Sequence, residues 1–206
     1  MRYAIWMSAL LVLVSVPGRA QEAPKVEVFG GYSFLRPEGG GNLNGWQVSV
    51  AGNINDWFGV VAELSGHYGS RHSRSISSFP GFPGLPDPPI FNARTDSESS
   101  FHTFLFGPRF SYRKNARVTP FAHALVGASR VHEELTTTIS FSDMNESFNH
   151  FSFSDTNFAV ALGGGIDLNL SKGFGLRLVQ ADYLPVRRSG FTQDNARIST
   201  GLVFRF

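Results

Sequence analysis

Apolar and polar side chains alternate with a period of two through most of this chain, and the pattern is cleanest at its end. From Ala196 to Phe206 the even positions are Ala196, Ile198, Thr200, Leu202, Phe204 and Phe206, and the odd positions are Arg197, Ser199, Gly201, Val203 and Arg205. A strand points successive side chains to opposite faces, so one face here is greasy and the other carries two arginines. About ten such residues closing on an aromatic suit a tilted strand that crosses a bilayer in a closed barrel.

The same rhythm predicts seven earlier strands. They are Lys25 to Phe34, Asn44 to Asn53, Trp57 to Gly69, Ser99 to Arg113, Thr119 to Val131, Phe158 to Leu170 and Phe174 to Leu184. In the first, Val26, Val28, Gly30, Tyr32 and Phe34 share a face, with Phe29 an exception among Glu27, Gly31 and Ser33. In the second and third, Trp46, Val48, Val50, Phe58, Val60, Ala62, Leu64 and Tyr68 face outward, opposite Gln47, Ser49, Val61, Glu63, Ser65 and His67. In the fourth, Phe104, Phe106, Phe110 and Tyr112 face lipid. The fifth reads in either register. The sixth sets Phe158, Val160, Leu162, Ile166 and Leu168 against Ala159, Ala161, Gly163, Gly165 and Asp167. The seventh breaks the rule: with Leu176 and Leu178 outward, Gln180 and Asp182 would meet lipid, which is costly at mid-depth. A β-bulge near Val179 or Gln180 turns both inward and Tyr183 outward.

The connections alternate. Asn53 to Asp56, Lys114 to Val118 and Ser171 to Gly173 are short and rich in turn formers. Leu35 to Leu43, Ser70 to Glu98, His132 to Asn157 and Pro185 to Asn195 are long. Five of the 11 prolines fall between Pro80 and Pro89, where they block strand and helix alike. Short turns on one side and long loops on the other match the periplasmic and extracellular ends of an outer-membrane barrel. A soluble sandwich also has short alternating strands, but it needs no aromatics at both ends of its outward faces.

The first twenty residues predict an export signal: Arg2, an apolar run from Ala4 to Val16, Pro17, then small residues at Gly18 and Ala20. Cleavage after Ala20 leaves residues 21–206 as one domain. The run is shorter than the roughly 20 residues a membrane-spanning helix needs. The chain has 18 Lys+Arg and 16 Asp+Glu. Arg2 and Arg19 lie in the signal, so the remainder is balanced, and no basic patch points to nucleic acid. There is no cysteine, so an exported chain must be held by other means than disulfides. A closed barrel in lipid supplies them, because every backbone donor and acceptor is paired.

Several short motifs lie in an order that carries a family likeness. They are Val28-Phe29-Gly30-Gly31-Tyr32-Ser33, Phe106-Gly107-Pro108-Arg109-Phe110, Pro120-Phe121-Ala122, Gly163-Gly164-Gly165-Ile166-Asp167, Arg177 with Gln180-Ala181-Asp182-Tyr183, and the tail Gly201 to Phe206. Together they span the chain after the signal, which resembles the small outer-membrane β-barrel proteins of Gram-negative bacteria: the OmpA-type barrel domain, OmpX and the opacity proteins. The resemblance implies an all-β, eight-stranded antiparallel up-and-down transmembrane barrel in the cell outer membrane. It also implies that the barrel assembly machinery reads the terminal strand through Leu202, Phe204 and Phe206. With the chain ending at Phe206, no cell-wall tether of the OmpA type is expected.

An eight-stranded barrel is only wide enough for side chains to fill. The inward positions predict a lumen network of Glu63, His67, Asp167, Arg177, Gln180, Asp182, Arg197 and Arg205, since a charge there needs a partner. Gly59, Gly163, Gly165 and Gly201 would make room for it. Nucleophilic chemistry is not expected. His123 and Ser129 stand six residues apart in one strand, roughly 20 Å along it, and no G-x-S-x-G motif occurs. No His, Asp or Glu set has metal-ligand spacing, and no cofactor motif appears. The reading is therefore a non-enzymatic structural or surface-interaction module with a filled lumen. The segments 70–98 and 132–157 are its candidate extracellular contacts, and the alternating Phe and Ser of the second also read as an extension of strands five and six beyond the membrane. A narrow channel is the first alternative and a lipid A-modifying enzyme the second.

Overall fold

The computed structural model describes residues 24–78, 90–141, 144–188 and 190–206. The export signal and the proline cluster at 80–89 lie outside the described residues. Ten strands form one antiparallel sheet: β1 (Val26–Pro37), β2 (Leu43–Asn53), β3 (Phe58–Ser78), β4 (Ile90–Ser111), β5 (Val118–Phe141), β6 (Met144–Asn169), β7 (Phe174–Tyr183), β8 (Val186–Arg188), β9 (Phe191–Gln193) and β10 (Asn195–Arg205). β1 to β7 pair consecutively, β8 pairs with β6 and β9, and β10 pairs with both β7 and β1. The ring closes as a barrel of eight staves. β8 continues the β7 stave along β6, with Ala159 opposite Val186. Pro185 marks the break, because it has no N–H for the ladder; its carbonyl still accepts from Val160 N at 3.1 Å.

The expected facings hold where they were definite. Val48, Val60, Leu64, Phe104, Phe106, Leu162, Ile198 and Leu202 are exposed on the outer wall, while Ser49, Val61, Glu63 and Ser65 are buried in the lumen. The ambiguous fifth strand turns Thr119, Phe121, His123, Leu125, Ser129 and Val131 inward. The bulge sits on β7. Ile166 pairs with Val179 and Asp167 with Arg177, so Leu178 and Val179 both face out while Arg177 and Gln180 both face in. Asp182 is thereby inward and Tyr183 outward.

Aromatics ring both ends of the outer wall. Trp57 stacks on Phe110 and Phe174 packs on Phe204 at the short-turn end. At the other end Tyr32, Tyr68 and Tyr183 send their hydroxyls to Asn44, His102 and Asp194. Amphipathic rings of this kind mark the two membrane–water interfaces. The short turns are built as read: Asn55 Oδ1 accepts from Trp57 N and Phe58 N, and Asn115 Oδ1 from Arg117 N and Val118 N.

The long connections are where the expectation fails. Ser70 to Ser78 and Ile90 to Glu98 are ladder, not loop, running from Ser70–Glu98 to Ser78–Ile90. Among its described residues His132 to Asn157 is also strand, so the strand-extension reading of that segment is the correct one. The first connection shrinks to Glu38–Asn42, because Leu35 and Leu43 are buried strand residues. Pro185 to Asn195 carries β8 and β9 rather than a plain loop. Once two strands are paired, the backbone ladder continues wherever both offer N–H and C=O groups, whatever the side-chain composition.

Candidate functional site: the lumen and the protruding sheet

All eight sequence-predicted lumen residues point into the barrel and are buried. Arg177 and Asp167 meet at 2.8 Å in the floor, the end of the short turns. Arg109, also in the floor, joins Glu27 at 2.8 Å and Asp167 at 3.1 Å. The Arg177 guanidinium carbon lies 4.2 Å from the centre of the Phe29 ring and 4.4 Å from that of Phe121, and Arg109 lies 4.2 Å from Phe121. These cation–π contacts explain why Phe29 breaks the first strand's alternation and why Phe121 faces inward. One step higher, Asp182 accepts from Arg197 Nε at 2.9 Å and Nη2 at 2.6 Å, from Gln180 Nε2 at 2.9 Å and from His123 Nε2 at 2.8 Å. Glu63 pairs with Arg197 and accepts from Gln47 Nε2 at 2.5 Å and Gln180 Nε2 at 3.3 Å. Arg177 donates to Gln180 Oε1 at 2.6 Å, which links the two levels.

Room for these side chains comes from glycines, though only partly from those expected. A Cβ at Gly163 would collide with Asp182, and one at Gly165 would lie 2.8 Å from the Phe121 ring. Gly59 and Gly201 instead abut the backbones of β2 and β1, so they serve strand approach and not side-chain space.

Above the second level the chemistry fades. Ser199 bonds Gln47 at 2.5 Å and Ser33 at 2.9 Å, and His67 Nε2 lies 2.8 Å from Ser33 Oγ. Toward the long-strand end the buried side chains become apolar, in a cluster that includes Leu35, Leu43, Phe101, Leu105, Leu125 and Leu184. The Ser33–His67 pair and the His123–Asp182 pair thus resemble fragments of a nucleophilic site. Each of the four side chains is buried in the lumen.

Sequence reasoning left Glu27, Gln47, Arg109, Arg113 and His123 outside the network. For Arg109 the signal was present: Phe104, Phe106 and Phe110 facing lipid put position 109 inside. His123 was hidden by the unresolved register of its strand. Arg113 lies beyond β4, yet reaches Glu27 at 3.3 Å and the Asp56 carbonyl at 2.8 Å.

The second feature is a sheet that rises above the barrel. β3 to β6 are 21, 22, 24 and 26 residues long, against 10 to 12 for β1, β2, β7 and β10. The pairing of β2 with β3 ends at Asn44–Tyr68, and that of β8 with β6 at Phe158–Arg187. Beyond those points, among the described residues, β3 and β6 are each paired on one side only. The face turned over the mouth carries Leu135, Phe151 and Phe153, with Arg188 of β8 stacked 6.0 Å from the Phe153 ring. Phe151 is 61% and Phe153 41% exposed. At its base a cavity of about 290 Å³ is lined by residues including Leu43, Arg71, Phe101, Val131, Glu133 and Gln193.

Comparison with known proteins agrees with this architecture. Among solved structures, the attachment invasion locus protein Ail of Yersinia pestis, in complex with the heparin analogue sucrose octasulfate, aligns with a TM-score of 0.51 at 17% identity, over 88% of this chain and 96% of that one. Neisserial surface protein A aligns with a TM-score of 0.46 at 11% identity, over 88% and 96%. The outer membrane protein OprG of Pseudomonas aeruginosa gives 0.43 at 12%, over 91% and 98%. No curated protein sequence matches. The outer membrane protein beta-barrel domain family matches residues 7–206, and the chain belongs to that family.

Proposed function

We propose that the protein is a non-enzymatic outer-membrane module that works through its extracellular sheet while its lumen is plugged. The observation that carries this reading is stave length. A membrane crossing needs about 9–11 tilted residues, and β3 to β6 have twice that. The surplus stands in water, offers two open edges and exposes Phe151 and Phe153. Open edges and exposed aromatics are both features that protein partners use. Charges on the described part of the sheet are mixed, Arg71, Arg74, Arg94 and Arg130 against Asp96, Glu98, Glu133, Glu134 and Asp155, so a polyanion is not the favoured partner. The test replaces residues 71–97 and 133–154 by short turns in surface-displayed protein. Loss of cell adherence to protein-coated surfaces, with the barrel still folded, supports the reading; undiminished adherence overturns it.

The lumen network of Glu63, His67, Asp167, Arg177, Gln180, Asp182, Arg197 and Arg205, with Glu27, Arg109 and His123, is the plug in this proposal. Salt-bridged side chains fill the lower part and apolar ones the upper. Planar-bilayer recording should therefore show no steady conductance, and a reproducible unitary current would favour the channel alternative instead. The proposal also keeps residues 1–20 as a removed export signal, for which the intact mass of protein extracted from outer membranes is the check. It keeps Leu202, Phe204 and Phe206, all on the outer wall, as the strand read during assembly.

A further inference from the structure

The two open edges of the protruding sheet carry opposite charge. Above Tyr68, the last β3 residue paired to β2, the β3 edge exposes Arg71 and Arg74. Above Phe158, where β8 leaves β6, the β6 edge from Asn157 up to His150 has Asp155 and no Lys, Arg or Pro. The ion pairs within the sheet are His72–Asp96, Arg94–Asp96 and His132–Glu134. Arg71, Arg74 and Asp155 have no ion-pair partner among the described residues, so each edge keeps its charge. A bare strand edge is a template for another strand, and natural edges are guarded by charges or proline. The β3 edge has such a guard against its own kind. The β6 edge, with Phe151 and Phe153 exposed along it, has only one carboxylate.

Strand direction decides which edges can meet. β3 climbs from the short-turn end at Phe58 to Ser78, and β6 descends from Met144 to the short-turn end at Asn169. Two copies standing upright in one membrane therefore offer β3 to β6 antiparallel, the direction of every ladder in this sheet. They offer β3 to β3, or β6 to β6, only in parallel, which is slightly less stable. Copies in facing membranes are inverted, and antiparallel pairing there joins like edges and like charges. Opposite charges across a strand pair stabilise it and like charges destabilise it. Antiparallel direction and opposite charge thus coincide for β3 against β6 within one membrane. The heights match too. Arg71 is the third residue above Tyr68, and Asp155 the third above Phe158. Both point over the mouth: Arg71 lines the cavity there, and Asp155 stands opposite Val131, which is buried inward.

We propose that the free β3 edge of one copy pairs antiparallel with the free β6 edge of a second copy in the same outer membrane, with Arg71 of one level with Asp155 of the other. Main-chain hydrogen bonds supply the attachment, and the charges select the partner edge. The proposal rests on the reading that the sheet stands outside the membrane as an interaction surface, and it names a copy of this chain as the occupant of its edges.

The chain has no cysteine, so introduced thiols report contact without background. Full-length Arg71→Cys and Asp155→Cys proteins are made in one cell, and intact cells are oxidised with copper–phenanthroline. A disulfide-linked dimer containing one of each is expected. Neither variant alone should give a dimer, nor should a mixture of cells that each make one. Ser73→Cys with Phe153→Cys, one step up the same register, should cross-link as well and keeps the test valid if the first pair is poorly placed. In that second pair, adding Arg71→Asp to the Ser73→Cys chain should abolish the dimer, and adding Asp155→Arg to the Phe153→Cys chain should restore it. Like pairs that cross-link as readily as unlike ones, or cross-links formed between cells, overturn the proposal. A membrane-impermeant maleimide, applied to a parallel unoxidised sample, separates the remaining failures. Thiols that are labelled yet never cross-link overturn the edge pairing and leave the protruding sheet in place. Thiols that are neither labelled nor cross-linked overturn both.

Discussion

The two halves of the barrel wall obey opposite codes. β1, β2, β7 and β10 are 10 to 12 residues long and end near the upper aromatic belt. β3 to β6 pass through the same belt and run on, β6 by the stretch Met144–Asn157, roughly 45 Å at about 3.3 Å per residue. Below the belt their outward positions are Leu64, Phe104, Val126 and Leu162, and their inward ones Glu63, His123 and Asp167. Above it the outward positions are polar, His72, Asp96, Glu98, Glu134 and Ser152, and the inward ones include Leu135, Phe151 and Phe153. The switch falls at the row Gly66, His102, Arg130 and Thr156. No backbone feature marks it there, since the ladder registers run unbroken through that row. The outer solvent changes from hydrocarbon to water, and the side chains change with it.

The difference is sharpest for charge, because the two regions hold ion pairs in opposite surroundings. Asp167 in the floor is fully buried and holds Arg109 and Arg177. Asp96 on the sheet holds His72 and Arg94 in water. Removing one partner of a buried pair leaves an uncompensated charge, at about 3–5 kcal/mol, so Asp167→Ala should lower barrel stability by that amount in urea unfolding. Asp96→Ala should leave the unfolding midpoint where it was. Equal sensitivity at both positions would mean that the lumen is well hydrated, and the plug reading would fail.

The membrane-embedded half was the legible half. Inside the bilayer the outward face must be apolar and the inward face must be paired, so Leu162, Phe104 and Ile198 announced their directions. Gln180 and Asp182 announced a bulge by violating them. The protruding half was read as loops because water relaxes both constraints: Ser70 to Ser78 has no apolar face to betray a strand. The Phe-Ser-Phe-Ser stretch from Phe151 to Ser154 was the exception, since its period of two survives above the membrane. Within the lumen, Arg109 could have been placed by parity alone. Arg113, outside any strand, needed the three-dimensional turn to bring it to Glu27.

A cation moved along one strand tests the change of solvent directly. Leu162 and Ser152 both lie on β6 and both point outward. Leu162→Arg places a guanidinium in lipid and should destabilise by about 2–4 kcal/mol. Ser152→Arg places it in water opposite Glu134 and should change stability by no more than about 0.5 kcal/mol. Matched costs at the two sites would put Ser152 inside the membrane, and the protruding sheet would then not protrude.

The smallest effect asks whether the sheet keeps its side-chain pairing in solution. Asp96 Oδ1 lies 2.6 Å from His72 Nδ1, and Arg94 Nε donates to both Asp96 oxygens at 3.1 and 3.0 Å. The hydrogen bond from His72, and after it that from Arg94, holds the Asp96 carboxyl below the usual carboxylate range. A depressed folded-state pKa means the pairing favours the ordered sheet above the ordinary aspartate pKa and is lost as pH falls through the lowered one. The ¹³C carboxyl shift of Asp96 should therefore titrate at lower pH than that of an unpaired aspartate, and His72→Ala should move its midpoint upward while global unfolding stays unchanged. A midpoint indifferent to His72 would show that the water-facing half holds its backbone ladder without the cross-strand side-chain contacts that the lipid-facing half keeps.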